Sequence, residues 1–263
     1  MNILHAIILG IIEGVTEFLP ISSTGHLILA SYVLKLAESD FLKSFEIFIQ
    51  LGAILAVVVL YWKRILTNFS LMKKLIVAFL PVVVVGLTLY KIVKDYLLGS
   101  TQVVLWTLFA GGVIIWAYEK WRAQDSEGSG DKNLKTTLEN MTYKQALGIG
   151  VAQSVAVVPG VSRAAATILG GLILGVDRKS IVEFSFMLAI PTMAAATGLD
   201  LIKSSGSFSS NEWMLLAVGF IISFITAIFA VKWLVRFIQN HDFTGFGIYR
   251  IALAVLFWLA LIR

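Results

Sequence analysis

The chain contains 263 residues, of which 58% are hydrophobic and 14% are charged, and its formal net charge is +5. Such an apolar composition excludes an ordinary soluble domain and indicates an all-α integral membrane protein. The chain has no cysteine, which excludes a disulfide scaffold, a zinc–thiolate site and a cysteine nucleophile. Most lysines flank apolar segments, so the positive charge is interpreted as membrane topology, and no nucleic-acid partner is expected.

The first apolar stretch is interrupted by Pro20. Residues 3–19 and 22–36 on either side are each short for a membrane span, which needs about 20 apolar residues as a helix. Proline lacks the N–H group that a continuing helix requires and disfavours helical backbone in the residue before it. We therefore expect a re-entrant helical hairpin, whose break must be covered by protein or line a wet cavity.

Three membrane spans are predicted next, at about residues 44–62, 75–90 and 101–118. Residues 121–143 form the longest polar segment and are predicted to be a cytoplasmic linker. Its Gly- and Ser-containing part, residues 124–131, is expected to be mobile.

The second half repeats the plan of the first. A second predicted hairpin, residues 144–158 and 162–176, surrounds the break at Pro159-Gly160. Three more spans follow, one beginning near Lys179 and two at about residues 212–231 and 246–262. Aligning Pro20 with Pro159 places Ser23 opposite Ser162.

Because each half contains three spans, the halves are expected to be inverted repeats of one membrane domain, 1–120 and 144–263. Lysine and arginine are concentrated in residues 63–74 and 119–144, which would share one side of the membrane. The positive-inside rule assigns that side to the cytoplasm, so both termini are expected outside.

The first break carries an unusual concentration of polar groups. Glu13 and Glu17 are four residues apart, on one face of the predicted helix. Three hydroxyl residues and a histidine follow Pro20: Ser22, Ser23, Thr24 and His26. A solvated helix face or a structural histidine is the alternative, but ionisable groups at membrane depth are usually functional. The positive end of the second helix and its hydroxyls suit a phosphate, with Ser22 and Thr24 as candidate ligands, and the acids suit a cation.

The second break supplies a fixed positive charge. The guanidinium of Arg163 matches phosphate oxygens, Ser162 lies at the predicted helix start, and Thr167 lies one turn further on the same face. If the two breaks meet near the membrane midplane, these groups face those of the first break across one cavity. The alternative for Arg163 is a structural ion pair with Glu13 or Glu17, and the two roles are compatible.

Three other charged residues in the predicted spans are interpreted as structural. Glu46 and Glu183 lie at helix starts beside lysines, where the helix dipole accounts for them. Arg250 is expected to pair with a buried acid.

The combined set of groups fits phosphoryl transfer to or from a lipid-linked substrate in the membrane. Glu13 and Glu17 are candidate oxygen ligands for a divalent cation, Mg²⁺ or Ca²⁺, and either is a candidate general base. The rival hypothesis is a transporter or flippase of a polyprenyl phosphate, because inverted repeats with broken helices are also typical of transporters. The oligomeric state, a homodimer included, stays open.

Two motifs resemble the signatures of the undecaprenyl-pyrophosphate phosphatase (bacitracin-resistance protein) family: Glu-Gly-Val-Thr-Glu-Phe-Leu-Pro-Ile-Ser-Ser-Thr-Gly-His at 13–26, and Pro-Gly-Val-Ser-Arg at 159–163 with Thr167. Residues 48–52 and 184–191 are also similar to that family. The resemblance implies a hydrolase of the bacterial inner (plasma) membrane that converts undecaprenyl pyrophosphate to undecaprenyl phosphate, the lipid carrier for cell-wall synthesis. It also implies an inverted-repeat fold with re-entrant helices and an active site that opens outward.

The resemblance also implies roles for individual residues. Glu13 and Glu17 match the family's acidic pair, and Ser23 matches its proposed nucleophilic or phosphate-binding serine. The expected attacking group is Ser23 or an activated water, and His26 or a glutamate is expected to handle the proton. His26 matches its histidine, Arg163 its phosphate-binding arginine, and Ser162 and Thr167 the neighbouring hydroxyls. One departure stands after the arginine, where Ala164-Ala165 replace the family's common Ser-Gly. This departure is expected to change the phosphate contact.

Overall fold

The computed structural model describes residues 1–93, 97, 100–129, 136–203 and 208–261. These residues form ten α-helices joined by short connections, and the only β-type pairing among them is an isolated bridge between Thr136 and Val176. The all-α prediction is therefore confirmed. The helices are α1 Ile3–Thr16, α2 Ser23–Val33, α3 Asp40–Thr67, α4 Phe69–Ile92, α5 Thr101–Ser129, α6 Tyr143–Ser154, α7 Arg163–Ile173, α8 Arg178–Lys203, α9 Ser210–Phe237 and α10 Thr244–Leu261.

The helices have the length and composition of membrane spans. Within the described residues, four segments are long and apolar enough to cross a bilayer: Asp40–Thr67, Phe69–Leu89, Thr101–Gln124 and Ser210–Phe237. Large apolar side chains such as Leu66, Ile173 and Phe229 point outward. An apolar exterior of this kind needs lipid around it. The chain is therefore a multi-pass membrane protein.

Both predicted helix breaks are present. In the first half α1 ends at Thr16 and α2 begins at Ser23; in the second half α6 ends at Ser154, a 3₁₀ turn follows at Val155–Val157, and α7 begins at Arg163. Within each half the two short helices contact each other, α1 with α2 and α6 with α7. Each break thus lies between two half-length helices.

In each half, the first helix packs on a helix of the other half. Helix α1 packs mainly on α9, and α6 packs mainly on α4. Glycines permit these close approaches: a Cβ on Gly14 would lie 2.0 Å from Thr226 Oγ1, and a Cβ on Gly150 would lie 2.1 Å from the Ala78 carbonyl oxygen. Small residues serve the same purpose wherever membrane helices approach closely. The first helix of each half is therefore anchored on the other half.

One helix is longer than the sequence predicts. Helix α5 continues past residue 118 to Ser129 and so includes residues 124–129, which were expected to be mobile; residues 130–135 lie outside the described residues. The continuation contains good helix formers, and it is anchored by Glu119. That buried carboxylate accepts hydrogen bonds from both Arg178 Nη atoms, at 2.5 and 2.6 Å, and from the Phe243 N–H at 3.3 Å.

The residues interpreted as structural have different partners from those expected. Glu183 forms an ion pair with Arg64 of α3, whose other Nη atom lies 2.9 Å from Glu139, so the helix dipole alone does not account for it. Glu46 accepts a hydrogen bond of 3.2 Å from the Ser31 hydroxyl of α2. The prediction of an acidic partner for Arg250 is wrong within the described residues, because its guanidinium bonds to backbone carbonyls instead.

Candidate active site

The two breaks end in the same local geometry. Ser22 and Ser162 have φ of 71° and 72°, and each precedes the first residue of a helix. The Ser22 hydroxyl accepts a hydrogen bond from the Gly25 N–H at 3.4 Å, and the Ser162 hydroxyl accepts one from the Ala165 N–H at 3.2 Å. A positive φ is unusual for a residue with a side chain, and such strain is concentrated at functional sites.

These caps correct the predicted alignment of the halves by one residue. Ser22 corresponds to Ser162, so Ser23 corresponds to Arg163 and not to Ser162. The second break has one more residue between its proline and its capping serine than the first break has. The nucleophile candidate and the arginine therefore occupy equivalent positions, each at the first residue of its helix.

Glu17 joins the two breaks. The Ser23 hydroxyl donates a hydrogen bond to Glu17 Oε2, and Arg163 Nη2 lies 3.5 Å from Glu17 Oε1 and 3.4 Å from the Glu17 carbonyl oxygen. All three side chains are largely withdrawn from solvent, with 7% of the Ser23 surface and 13% of the Arg163 side chain exposed. The two breaks therefore contact each other through this trio: a hydroxyl, a carboxylate that can accept its proton and a guanidinium. Their meeting at the membrane midplane stays a prediction.

Arg163 retains capacity to bind an anion. Its Nη1 donates to the Ser185 carbonyl oxygen at 2.9 Å, and its guanidinium carbon lies 5.7 Å from the centre of the Phe18 ring. Its Nε is buried and has no hydrogen-bond partner among the described residues. The ion pair with Glu17 thus exists, but it uses only some of the guanidinium N–H donors. The remaining N–H groups, that of Nε among them, suit phosphate oxygens.

Glu13 lies one turn before Glu17 and is completely buried. Neither of its carboxylate oxygens has a hydrogen-bond partner in the described part of the chain. The charges that act on it are those of Glu17, Glu46 and Arg163. A buried carboxylate without donors is unfavourable, and the oxygens of the two neighbouring glutamates fit a hard divalent cation such as Mg²⁺ or Ca²⁺.

The protein itself offers few further ligands for such a cation. The described residues contain no group of three or more His, Cys, Asp or Glu side chains placed to hold a metal ion. A cation at Glu13 and Glu17 would take its other ligands from water and from substrate oxygens, as Mg²⁺ commonly does with phosphates.

His26 is held by two partners outside the Glu17 trio. Its Nδ1 lies 2.7 Å from the Ser22 carbonyl oxygen, and its Nε2 lies 2.8 Å from the Tyr249 hydroxyl. Because a carbonyl can only accept, these contacts assign the proton to Nδ1 and make Nε2 the acceptor from Tyr249. Both ring nitrogens are therefore engaged, and neither bonds Ser23. Sequence reasoning missed Tyr249, which lies 223 residues away.

Two other predicted phosphate ligands, Thr24 and Thr167, do not belong to the Glu17 trio. Thr24 is exposed, whereas Thr167 is fully buried, with its hydroxyl 2.8 Å from Gln153 Oε1 of α6 and 2.8 Å from the Arg163 carbonyl oxygen. The hydroxyl of Thr167 thus ties α7 to α6. Ala164 is 1% exposed and belongs to the main hydrophobic core. A serine hydroxyl at that position would lie among core side chains, so its absence removes little from the phosphate site.

Known proteins resemble this chain over almost its whole length. Residues 6–256 match the family described as bacitracin resistance protein BacA. The chain is 48% identical to the undecaprenyl-diphosphatase of Aquifex aeolicus over 253 residues, covering 96% of each chain. It is 49% identical to the undecaprenyl-diphosphatase of Sulfurihydrogenibium sp., covering 98% of this chain and 99% of the relative. Identity to the undecaprenyl-diphosphatase of Bdellovibrio bacteriovorus is 47%, covering 99% and 97%.

Proposed function

The chain belongs to the bacitracin resistance protein BacA family, and on this premise we propose that it is an undecaprenyl-diphosphatase. It hydrolyses the terminal phosphoanhydride bond of undecaprenyl pyrophosphate, giving undecaprenyl phosphate and inorganic phosphate. The observation that carries the proposal is the position of Glu17 between the Ser23 hydroxyl and the Arg163 guanidinium, inside an apolar membrane bundle. The transporter hypothesis has no support among the relatives, since the three compared are named as diphosphatases.

In the proposed reaction Ser23 is the nucleophile and Glu17 is the general base. Glu17 already accepts the Ser23 hydroxyl hydrogen bond, which is the arrangement that activates a serine. As Ser23 Oγ bonds the terminal phosphorus, its proton passes to Glu17, and the bond to the bridging oxygen of the leaving undecaprenyl phosphate breaks. Glu17 then gives this proton up to solvent and takes one from the attacking water, whose oxygen bonds the phosphorus of the phosphoserine. The P–Oγ bond breaks, inorganic phosphate leaves with the remaining hydroxyl of the water, and Glu17 passes its proton to Ser23 Oγ.

The rest of the site stabilises negative charge. Arg163 binds the non-bridging oxygens of the terminal phosphate through the N–H groups that Glu17 and Ser185 do not use. Ser22 and Ser162 hold the helix starts whose free N–H groups favour anions. Glu13, together with Glu17, would hold a divalent cation, which when bound neutralises charge on the diphosphate oxygens. His26 orients the first break through the Ser22 carbonyl.

The proposed topology has two inverted repeats, each with a re-entrant hairpin and three spans. The exchanged packing, α1 on α9 and α6 on α4, supports it, as do the matching serine caps. The lysine- and arginine-rich connections support a cytoplasmic location for residues 63–74 and 119–144. The protein then lies in the bacterial inner membrane with both termini and the active site on the outer side, where the lipid pyrophosphate is dephosphorylated.

The decisive experiment measures inorganic phosphate release from undecaprenyl pyrophosphate by the purified protein in detergent. Glu17→Ala and Arg163→Ala are compared with Glu38→Gln, an exposed glutamate outside the site. We expect turnover by the wild type and by Glu38→Gln, and a loss of about 10²- to 10³-fold in Arg163→Ala. A parallel arm with EDTA, followed by Mg²⁺ or Ca²⁺, tests the cation. Folded wild-type protein that releases no phosphate would overturn the proposed function.

A further inference from the structure

Arg250 of α10 is completely buried, and every N–H of its guanidinium is used. A guanidinium has five N–H donors, and here five backbone carbonyl oxygens accept them at 3.0 to 3.2 Å. Nε bonds Leu108, Nη1 bonds Pro20 and Val161, and Nη2 bonds Thr107 and Gly160. No carboxylate of the described residues pairs with this cation.

The five acceptors come from three parts of the fold. Two belong to α5, one is Pro20 at the first break, and two are Gly160 and Val161 at the second break. A single side chain therefore bonds both breaks at once. Pro20 lies three residues before Ser23, and Val161 lies two residues before Arg163. Arg250 therefore bonds the backbone segments that carry these groups into the site.

We propose that Arg250 is a positioning residue for the phosphoryl transfer: it holds the two breaks at the separation at which Glu17 meets Ser23 and Arg163. This inference rests on the proposed function. All five N–H groups of Arg250 bond backbone carbonyls, so it donates no hydrogen bond to these three side chains and acts through the backbone of the breaks.

The pattern of bonds requires arginine. Lysine offers three donors from one atom, so it leaves at least two of the five carbonyls without this partner and cannot span both breaks in the same way. A buried cation without a counter-ion also carries a large desolvation penalty. An apolar side chain would avoid that penalty, so the arginine is better explained by the geometry it imposes than by the stability it adds.

A neighbouring glycine makes room for the guanidinium. A Cβ on Gly111 of α5 would lie 2.3 Å from Arg250 Nη2 and 2.8 Å from its Cζ. Gly111→Ala therefore displaces the guanidinium without removing any charged or polar group. Gly86 of α4 provides the matched control, since a Cβ there would meet nothing within 4 Å.

The test compares Arg250→Lys, Gly111→Ala and Gly86→Ala with the wild type. Small misplacements of reacting groups reduce kcat strongly, so we expect kcat to fall about 10²-fold in Arg250→Lys and about tenfold in Gly111→Ala. KM should stay near the wild-type value, and Gly111→Ala, like Gly86→Ala, should remain folded at the assay temperature.

A second readout does not depend on turnover. The chain has no cysteine, so spin labels at Tyr32→Cys and Ile173→Cys, both exposed near the ends of α2 and α7, report the separation of the two half-helices that follow the breaks. We expect one narrow distance distribution in the wild-type background and a broadened or shifted one with Arg250→Lys or Gly111→Ala.

The outcomes separate the two proposals. A wild type that releases no phosphate overturns the proposed function. A wild type that turns over, with Gly111→Ala retaining both its kcat and its label distance, overturns the positioning role. If Arg250→Lys does not fold, Gly111→Ala decides. A loss of activity explained entirely by unfolding of Gly111→Ala at the assay temperature would mean a merely structural arginine.

Discussion

Both helix breaks place a serine with left-handed backbone before a half-length helix, Ser22 in the first half and Ser162 in the second. The side chains around these caps differ. Nine residues before the cap the first break has Glu13 and the second has Gln153; one residue after the cap stand Ser23 and Arg163. The same backbone shape therefore carries the acids and the hydroxyl in one half, and an amide and a cation in the other.

The hydrogen-bond partners of the equivalent buried residues Glu13 and Gln153 also differ. Gln153 Oε1 accepts a hydrogen bond from Thr167, a protein partner on the neighbouring half-helix. Glu13 has no such partner in the described residues. The amide of Gln153 is thus satisfied at its oxygen, although its Nε2 has no partner among the described residues, whereas neither oxygen of Glu13 has one. We infer that the first break carries the reacting groups and the second binds the anion.

The largest expected effect comes from removing the hydroxyl that distinguishes the first break. Ser23→Ala should lower kcat by on the order of 10⁵- to 10⁶-fold, as loss of a serine nucleophile does elsewhere. Phosphate release gives the rate, and acid quenching of the wild type followed by mass spectrometry should detect phosphoserine at position 23. The control is Thr88→Ala, an exposed hydroxyl on α4. Normal turnover by Ser23→Ala would assign the attack to water.

A smaller effect is expected when the first break is made to resemble the second. Glu13→Gln reproduces the amide of Gln153 and removes a candidate cation ligand, so kcat should fall about 10²-fold. The residual activity should no longer respond to EDTA or to added Mg²⁺ or Ca²⁺, which a titration of phosphate release measures. Wild-type kcat with an unchanged cation response in Glu13→Gln would remove Glu13 from the site.

The smallest effect concerns the hydrogen bond between Tyr249 of α10 and His26 of α2. Tyr249→Phe keeps the ring but loses the hydrogen bond to His26. Such a bond contributes about 1 kcal/mol, which corresponds to about a fivefold fall in kcat if it acts entirely on the transition state. Tyr32→Phe, an exposed tyrosine on α2, is the control. A loss as large as that of Glu13→Gln would instead make His26 a direct participant in proton transfer.

Much of this arrangement follows from local sequence rules. Proline has no N–H and hinders the helix before it, so Pro20 and Pro159 predict both breaks. Acidic, hydroxyl and guanidinium groups in apolar segments are expensive, and this predicts that Glu17, Ser23 and Arg163 belong to one site. The alignment of the halves was off by one residue because the caps are defined by the positive φ of Ser22 and Ser162, and not by the distance from the prolines.

The sequence by itself therefore determined the all-α membrane class, the places where helices stop and the kinds of group at each break, because these depend on residues a few positions apart. Only the tertiary structure decided which groups meet. Arg163 contacts Glu17 across 146 residues, Tyr249 bonds His26 across 223, and Arg250 bonds Pro20 across 230. Such contacts depend on how the helices pack. Every residue has a backbone carbonyl, so no pattern of side chains predicts which carbonyls Arg250 binds.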